Sequence, residues 1–429
     1  MDIPSFVRSL AQAGKLKTIE KRLSPVLAAS AEIRGAEPAP VLLTDVGGAR
    51  VAANLFPDRD ALARGLGVDP RRFLPELGGL LSGKTKRRGA GSRHSDEVYG
   101  EVEVPLGELE KLPFLTYYQG DGGPFLTSGV WIVRDPVLGV NLSYHRMMIA
   151  AGARQGTVRV VENRGTHTAL KNSGGKLDAA ICIGAPVEVL FAASLSPAPD
   201  VNEMDLAALL GRVDLVRCKT VDLEVPAACE LVIEGTFTGA QGREGPFVDI
   251  TGTVDLPRRQ PVFRITRVAR RQDPLHYAIV PGRADHRVLM GVPKELDMFR
   301  AVGQVCRVLD VRVTPGGCCW LHAVIRIDKR KPGDGPRAIA AAFAAHRSLK
   351  HCVVVDADVD AGDPADVEWA VATRFQADKD LVVLSDQPAS SLDPSACHFA
   401  GAKSRGAKMG LDATIKRPGE RKLFMRVTA

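Results

Sequence analysis

Residues 243–252 place narrow limits on the local fold of this chain. They read Arg-Glu-Gly-Pro-Phe-Val-Asp-Ile-Thr-Gly and contain two carboxylates, Glu244 and Asp249, five residues apart. The intervening glycine and proline exclude a continuous helix, so the two acids cannot share a helical face. A tight turn can instead direct both side chains to one point. If their surroundings there differ, the two carboxylates have different pKa values, and such a pair can carry out general acid–base chemistry. Taken alone, the segment is better explained as a solvated turn with two ordinary acids.

Length and composition indicate a protein of two or three domains. The chain has 429 residues, of which 45% are hydrophobic and 25% charged, as in ordinary globular proteins. No apolar run approaches the roughly 20 residues that cross a bilayer, so we expect no membrane span. The eight cysteines form no Cys-x-x-Cys pair, and the first residues lack the pattern of a signal peptide. These features predict a cytoplasmic protein.

The net charge of +7 raises the question of a nucleic-acid partner. The clearest basic cluster, Lys84, Lys86, Arg87 and Arg88, has no aromatic residue between its members. An exposed loop therefore explains the cluster better than a nucleic-acid surface does, and we expect no nucleic-acid partner. A surplus of positive charge also suits an anionic cofactor and substrate.

The pattern of hydrophobic residues predicts a mixed α/β (α+β) protein. Residues 1–101 are typical of a small α/β unit, with an exposed excursion over 75–98. Short β-rich runs across 102–290, including 187–191, favour a barrel with few helices. Residues 291–310 have helical spacing and predict a linker helix. Strand and helix patterns alternate across 311–429, which indicates a C-terminal α/β domain.

Four segments, in this order, resemble the UbiD family of decarboxylases. They are Asn-Leu-Ser-Tyr-His-Arg at 141–146, Pro-Asp-Val-Asn-Glu at 199–203, Glu-Gly-Pro-Phe-Val-Asp at 244–249, and Lys-Met-Gly-Leu-Asp-Ala-Thr at 408–414. The resemblance covers nearly the whole chain. It implies a central split β-barrel that binds a flavin and a C-terminal domain that makes dimer contacts and covers the active site. The chain length favours the compact subgroup of the family.

The resemblance implies a reaction and three catalytic residues. Family members use prenylated FMN for a non-oxidative and, in principle, reversible decarboxylation of aromatic, heteroaromatic or α,β-unsaturated carboxylic acids. Their acid–arginine–acid trio corresponds here to Glu244, Arg146 and Asp249. We assign Asp249 as the proton donor and Glu244 as the partner of Arg146, because a guanidinium group can bind one carboxylate with two hydrogen bonds while keeping it ionised.

The resemblance also implies a divalent ion, typically Mn²⁺, between the flavin phosphate and the protein. Asn141 and Glu203 match two ligand positions, and oxygen ligands suit such an ion. The third family ligand is a histidine, but the aligned residue here is Asn163. Glu162 or His167 could take that place instead.

Further cofactor contacts follow from the same alignment. Ser143, Tyr144 and His145 share the flavin-binding loop with Arg146, and Ala193, Ser194 and Leu195 match a segment that binds K⁺ and flavin. Arg337 is a candidate for contact with the phosphate, although an ordinary loop-to-helix junction explains it as well.

Arg283 and His286 are candidates for binding a second polar group of the substrate. The implied partners are a small carboxylic acid, a flavin prenyltransferase that supplies the cofactor, and a second copy of the chain in a homodimer or larger homo-oligomer. Two alternatives stay open at this point. One is an ordinary FMN-dependent split-barrel oxidoreductase, and the other is a non-catalytic UbiD-like subunit.

Overall fold

A computed structural model describes residues 1–152, 154–399, 402–416 and 418–426. The chain divides into two compact units, Met1–Leu289 and Met290–Ala429. The predicted mixed α/β class is confirmed, since both units contain helices, the first unit contains four sheets and the second unit contains one. The predicted N-terminal unit and barrel lie together in the first unit, and their separate limits stay predictions.

Eleven α-helices lie within the described residues. They are α1 (Ile3–Gln12), α2 (Ala28–Ala36), α3 (Arg59–Leu66), α4 (Phe73–Leu81), α5 (Gly165–Asn172), α6 (Val187–Ala192), α7 (Glu203–Leu210), α8 (Ala284–Gly303), α9 (Asp334–Ala345), α10 (Pro364–Arg374) and α11 (Ala377–Asp380). Short 3₁₀ helices cover Pro70–Arg72, Leu109–Lys111 and Pro418–Phe424.

Twenty-three strands are described in the same part of the chain. They are β1 (Lys17–Leu23), β2 (Val41–Val46), β3 (Ala49–Ala53), β4 (Gly91–Val98), β5 (Val102–Glu103), β6 (Phe125–Leu126), β7 (Val130–Asp135), β8 (Gly139–Tyr144), β9 (Met147–Ile149), β10 (Gln155–Val158), β11 (Lys176–Ile183), β12 (Arg212–Arg217), β13 (Glu224–Pro226), β14 (Leu231–Glu244), β15 (Phe247–Val248), β16 (Val254–Asp255), β17 (Arg258–Arg270), β18 (Leu275–Tyr277), β19 (Arg307–Val313), β20 (His322–Asp328), β21 (His351–Asp356), β22 (Leu381–Pro388) and β23 (Arg405–Ala413).

The largest sheet of the first unit has nine strands in the order β6-β9-β10-β17-β14-β11-β7-β8, with β5 added beside β17. Its long central pair, β14 and β17, is antiparallel. One face of the sheet covers a core in which the rings of Trp131, Phe237 and Phe263 pack together in tilted and edge-to-face arrangements. Smaller sheets of the first unit are β1-β2-β3-β18, β13-β12-β4 and β15-β16. The second unit contains the sheet β19-β20-β21-β23-β22.

Capping residues explain why the N-terminal helices start and stop where they do. The carboxylate of Asp58 accepts a hydrogen bond from the backbone of Ala61 at the start of α3, and Gly67 ends that helix with a φ of 62°. Asp2 caps α1 in the same way. Helices α1 and α3, together with the strands β2 and β3 that Gly47 and Gly48 join, give residues 1–101 the α/β character that the sequence predicts.

Three sequence-based predictions about local structure are wrong. Residues 187–191 belong to helix α6, because a short run buried on every side does not distinguish a helix from a strand. The excursion over 75–98 contains most of α4, with Leu77 and Leu80 buried, and the strand β4. The linker helix runs over Ala284–Gly303 instead of 291–310, and β19 follows it, since the alternating residues of 307–313 suit a strand.

Within the described residues, no helix combines the length and apolarity needed to span a bilayer.

Candidate functional site

The two carboxylates at residues 244 and 249 meet because of a hairpin. Strand β14 ends at Glu244, and Gly245 follows with a φ of 87°, a conformation that glycine adopts without strain. The chain then forms β15, turns, and returns as β16, so that Phe247 lies opposite Asp255. Asp249 occupies the turn of this hairpin, where its Oδ1 accepts a hydrogen bond from the Ile250 backbone. The predicted turn therefore directs both acids towards one point.

That point is the guanidinium group of Arg146. Its Nε and Nη2 donate to Glu244 Oε1 and Oε2 at 2.8 and 3.0 Å, which is a bidentate pair. Its Nη1 donates to Asp249 Oδ2 at 2.7 Å, and Nη2 also donates to Asp255 Oδ2 at 2.6 Å. The side chain of Arg146 is 8% exposed, that of Glu244 is fully buried and that of Asp249 is 15% exposed. The three predicted catalytic residues thus lie in direct contact.

The charges of this cluster are strongly coupled. Burial by itself lowers the pKa of Arg146, but its bonds to Glu244 and the charges of Asp249 and Asp255 raise that pKa above the ordinary value. The ring of Phe247 lies 4.2 Å from the guanidinium carbon and adds a cation–π contact. Arg146 is therefore a permanent cation, and it holds three carboxylates in fixed positions.

Sequence analysis missed Asp255 as a member of the cluster. Asp255 also pairs with Arg258, at the start of β17. Gly252 marks the end of a turn, and the register of a hairpin around that turn would place Asp255 beside Phe247. This pairing is the sequence signal that could have identified the third acid.

Asp121 is a further acidic group near the cluster that sequence analysis missed. Its Oδ2 accepts hydrogen bonds from the backbone of Tyr117 and Tyr118 at 3.0 and 2.8 Å. Burial raises the pKa of Asp121, and the nearby charge of Arg146 opposes that increase.

His286, at the start of α8, lies in the electrostatic field of the same cluster. Its Nδ1 accepts a hydrogen bond from the Gly282 backbone at 3.0 Å, which leaves the ring proton on Nε2 in the neutral form. Burial lowers the pKa of His286, and the charges of Asp249 and Arg146 act on it in opposite directions. The neighbouring Arg283 pairs with Glu37 at 3.2 Å.

The structure brings two of the three predicted metal ligands together. Asn141 donates to Glu203 Oε1 at 3.0 Å, and the backbone of Leu142 donates to Glu203 Oε2 at 2.8 Å. Burial raises the pKa of Glu203 to about 7. Within the described residues, Glu203 forms no ion pair with a cationic side chain, so its charge lacks a counter-ion from the protein.

The third predicted ligand, Asn163, lies on an exposed loop with a φ of 58°. This loop passes close to Asn141, because a Cβ atom on Gly165 would lie 2.5 Å from the Asn141 side chain. The backbone of Asn163 donates to His167 Nδ1 at 3.3 Å. Nothing in the structure distinguishes Asn163 from Glu162 or His167 as the third ligand. Across the described chain, no group of three or more His, Cys, Asp or Glu side chains is arranged to hold a metal ion.

The flavin-loop candidates form a polar network beside Asn141. The hydroxyl group of Ser143 contacts His145 Nε2 at 3.0 Å and Thr166 Oγ1 at 2.9 Å. Burial lowers the pKa of His145 to about 4, so its imidazole is neutral near pH 7. The hydroxyl group of Tyr144 donates to the carbonyl group of Leu190. Neutral hydroxyl and imidazole groups of this kind can donate hydrogen bonds to a phosphate.

The remaining cofactor candidates lie further along the chain. Ala193, Ser194 and Leu195 close the C-terminal end of α6, where Ser194 and Leu195 donate backbone hydrogen bonds back to the helix. Arg337 lies in the second unit, in the first turn of α9, and pairs with Asp334.

The three domain models of one family match almost the entire chain. The N-terminal, Rift-related and C-terminal domains of 3-octaprenyl-4-hydroxybenzoate carboxy-lyase match residues 7–81, 93–284 and 287–413. A relative named anhydromevalonate phosphate decarboxylase, from Methanosarcina mazei, is 38% identical over 96% of both chains.

Solved structures agree with this assignment. The UbiD-class enzyme HmfF from Pelotomaculum thermopropionicum, in complex with FMN, is 32% identical and superposes with a TM-score of 0.91 over all of this chain and 97% of its own. An evolved dimeric form of that enzyme, in complex with prFMN, is 31% identical and gives 0.88 over the same shares. These matches favour neither an ordinary FMN oxidoreductase nor a non-catalytic subunit. The chain belongs to the UbiD family of carboxy-lyases, as the sequence motifs predict.

Proposed function

We propose that this enzyme decarboxylates an unsaturated carboxylic acid with the help of prenylated FMN bound beside Arg146. The observation that carries the proposal is the cluster in which one buried guanidinium group binds Glu244, Asp249 and Asp255. A reaction that replaces a carboxylate by a proton needs a positioned acid and a fixed cation. This cluster supplies both.

The two predicted acids differ in how far a substrate can reach them. Both oxygens of Glu244 accept bonds from Arg146, and its side chain is fully buried, so it serves to orient the guanidinium group. One carboxylate oxygen of Asp249 accepts a hydrogen bond from Arg146, and part of the Asp249 side chain is exposed to solvent. Through that exposed part Asp249 takes up a proton from water, and it then delivers this proton to the carbon atom that loses carbon dioxide. His286, neutral and carrying its proton on Nε2, is placed to donate a hydrogen bond to the substrate.

The residues around Asn141 fit the phosphate end of such a cofactor. Glu203 is a buried carboxylate that accepts hydrogen bonds from the Asn141 amide and the Leu142 backbone, both of which are neutral donors. A divalent ion such as Mn²⁺, held by Asn141, Glu203 and Asn163, would balance that charge. Within the first unit, the Ser143, Tyr144 and His145 loop and the K⁺ segment Ala193, Ser194 and Leu195 complete the proposed contacts. When bound, prenylated FMN supplies an electron sink for the bond that breaks.

The substrate that we propose is a phosphorylated, α,β-unsaturated acid. The relative from Methanosarcina mazei that matches 96% of this chain is named for anhydromevalonate phosphate, a phosphate ester of an unsaturated acid. The net charge of +7 suits a substrate that carries both a carboxylate and a phosphate. We propose that Arg283 and His286 contact this substrate, as the sequence alignment suggests.

The cellular setting is part of the same proposal. A flavin prenyltransferase would supply the cofactor, and the protein would act in the cytoplasm as a homodimer. Analytical ultracentrifugation tests the last point, since a single species at the mass of one chain would contradict the homodimer.

Co-expression with a flavin prenyltransferase tests the function. The bound flavin of the purified protein is identified by mass spectrometry, and a panel of unsaturated acids, with and without phosphate esters, is screened for release of carbon dioxide. We expect prenylated FMN and release from the phosphorylated acids. Ordinary FMN as the only flavin, together with no release from any acid, would contradict the proposal.

A further inference from the structure

Arg34 is held in place by neutral groups and has no carboxylate partner among the described residues. It lies on α2, where its Nη1 donates to the carbonyl group of Tyr117 at 2.5 Å and contacts the hydroxyl group of Ser30 at 2.6 Å. The Tyr118 ring lies 4.7 Å from its guanidinium carbon. All three partners are neutral, and among the described residues no carboxylate lies within ion-pair distance of Arg34. Its remaining donors are therefore available to an anion from outside the protein.

Arg283 approaches the same tyrosine from the start of α8. Its Nη1 donates to Glu37 Oε2, while Glu37 Oε1 accepts a hydrogen bond from the Ala284 backbone at 3.0 Å. Tyr118 and Glu37 raise the pKa of Arg283. Glu37 follows directly after α2, so Arg283 lies next to the helix that carries Arg34. The side chain of Arg283 is 42% exposed and can still be reached by a ligand.

This pair of arginines lies close to the catalytic cluster. A Cβ atom on Gly282 would lie 2.8 Å from the carbonyl oxygen of Asp249, so the residue before Arg283 touches the backbone of the proposed proton donor. The hydroxyl group of Tyr118 donates to the Pro281 carbonyl group at 2.8 Å and holds the same turn. The turn that precedes Arg283 is therefore packed between Tyr118 and the hairpin that carries Asp249.

The balance of charge favours an anion at this position. Arg34 and Arg283 contribute two positive charges, Glu37 offsets one of them, and Asp121, which accepts a hydrogen bond from the backbone of Tyr118, is a second carboxylate nearby. Arg287, one turn further along α8, adds another, and in the described part of the chain its side chain forms no ion pair; its Nε is buried without a hydrogen-bond partner. Guanidinium groups bind phosphate oxygens through pairs of hydrogen bonds, and a phosphate monoester carries up to two negative charges near pH 7.

We propose that Arg34 and Arg283, which both lie near Tyr118, form a subsite that binds the phosphate ester of the substrate while its carboxylate lies at Arg146. This inference rests on the proposed function. It adds to the proposed substrate site a residue, Arg34, that neither the motifs nor the family resemblance identified. Glu37 then has a positioning role, because it fixes Arg283 against the start of α8.

Calorimetric titration of the flavin-loaded protein with butyl phosphate tests this subsite without any catalysis. We expect Arg34→Met to raise the dissociation constant at least about tenfold, the loss typical of a charge-assisted hydrogen bond. Arg22→Met is the matched control, because Arg22 lies on β1 with its side chain 80% exposed. An unchanged constant in Arg34→Met would overturn the subsite. Inorganic phosphate that binds as tightly as butyl phosphate would also overturn it, since the site would then serve free phosphate.

A kinetic comparison separates this inference from the proposed function. The ratio of kcat/KM for a phosphorylated unsaturated acid to that for its hydroxyl counterpart is measured in each variant. We expect the ratio to fall at least about tenfold in Arg34→Met and to stay constant in Arg22→Met. If the wild type releases carbon dioxide but the ratio is the same in Arg34→Met, the subsite is wrong and the function stands. If Arg34→Met melts far below the wild type, Arg283→Met replaces it, with the same expected result.

Discussion

At the scale of single residues, Arg146 combines a structural and a chemical task. Moving a guanidinium group and three carboxylates out of water is costly, and only their close hydrogen bonds offset that cost. The same contacts fix the direction of each carboxylate, which is what proton transfer to one carbon atom needs. The chemistry and the stability of this site therefore depend on the same side chain.

Asp249→Asn tests the assignment of the proton donor. The amide keeps the shape of the side chain and can still accept a bond from Arg146, but it has no acidic proton to deliver. We expect turnover to fall by roughly 10³-fold or more while the flavin stays bound, measured by carbon dioxide release and by flavin absorbance. Asp273→Asn, at a side chain that is 79% exposed, is the control. Near-normal turnover in Asp249→Asn would show that another group protonates the product.

Arg146→Met tests the structural task. The substitution leaves the fully buried carboxylate of Glu244 without its bidentate partner. An uncompensated buried charge costs about 3–5 kcal/mol, so we expect the free energy of unfolding in urea to fall by that amount. Arg22→Met should change it by less than about 0.5 kcal/mol, as exposed substitutions do. A loss below about 1 kcal/mol in Arg146→Met would mean that the cluster is loosely held.

At the scale of elements, the start of α8 contacts the N-terminal part of the chain and also lies beside the proposed substrate-binding residues Arg283 and His286. Asp285, in its first turn, accepts hydrogen bonds from the backbone of Leu55 and Phe56 and from the hydroxyl group of Tyr277. The carboxylate thereby joins α8 to the loop that follows β3. The neighbouring residues Arg283 and His286 are held in place by the same helix start.

The pH dependence of stability tests this connection. Burial raises the pKa of Asp285 from 3.8 to about 6 in the folded protein. Folding therefore favours the protonated form of Asp285. The stability that this form gives to the folded protein is fully present below about pH 4 and is lost as the pH rises through 6. We expect the difference in unfolding free energy between the wild type and Asp285→Asn to fall by on the order of 2–3 kcal/mol between pH 4 and 7. A difference that is flat or rises over this range would contradict the assignment.

Local signals predicted some elements and failed for others, for identifiable reasons. Helix α3 was predictable because Asp58 and Gly67 mark both of its ends. Helix α6 was not, because its six residues are all buried and show no period. The start of α8 was predicted at 291 but lies at Ala284, and Pro293, a residue type more common at the start of a helix, lies inside it.

At the scale of the whole molecule, the site depends on contacts between distant parts of the chain. Arg146 lies 98 residues from Glu244 and 103 from Asp249 along the sequence. No local pattern encodes these contacts, so the resemblance of several motifs to one family was needed to predict them. Asp255 and Arg34 lie outside those motifs. They became visible only when strand register and side-chain contacts were known.

The release of carbon dioxide from a phosphorylated, α,β-unsaturated acid is the most direct test of the account. The purified protein is assayed after expression with and without a flavin prenyltransferase, with Asp249→Asn alongside. We predict release by the wild type only when the prenyltransferase was present, and none above background by Asp249→Asn. Equal release by all three preparations, or none by any, would contradict a prenylated-FMN decarboxylase that works through the Arg146 cluster.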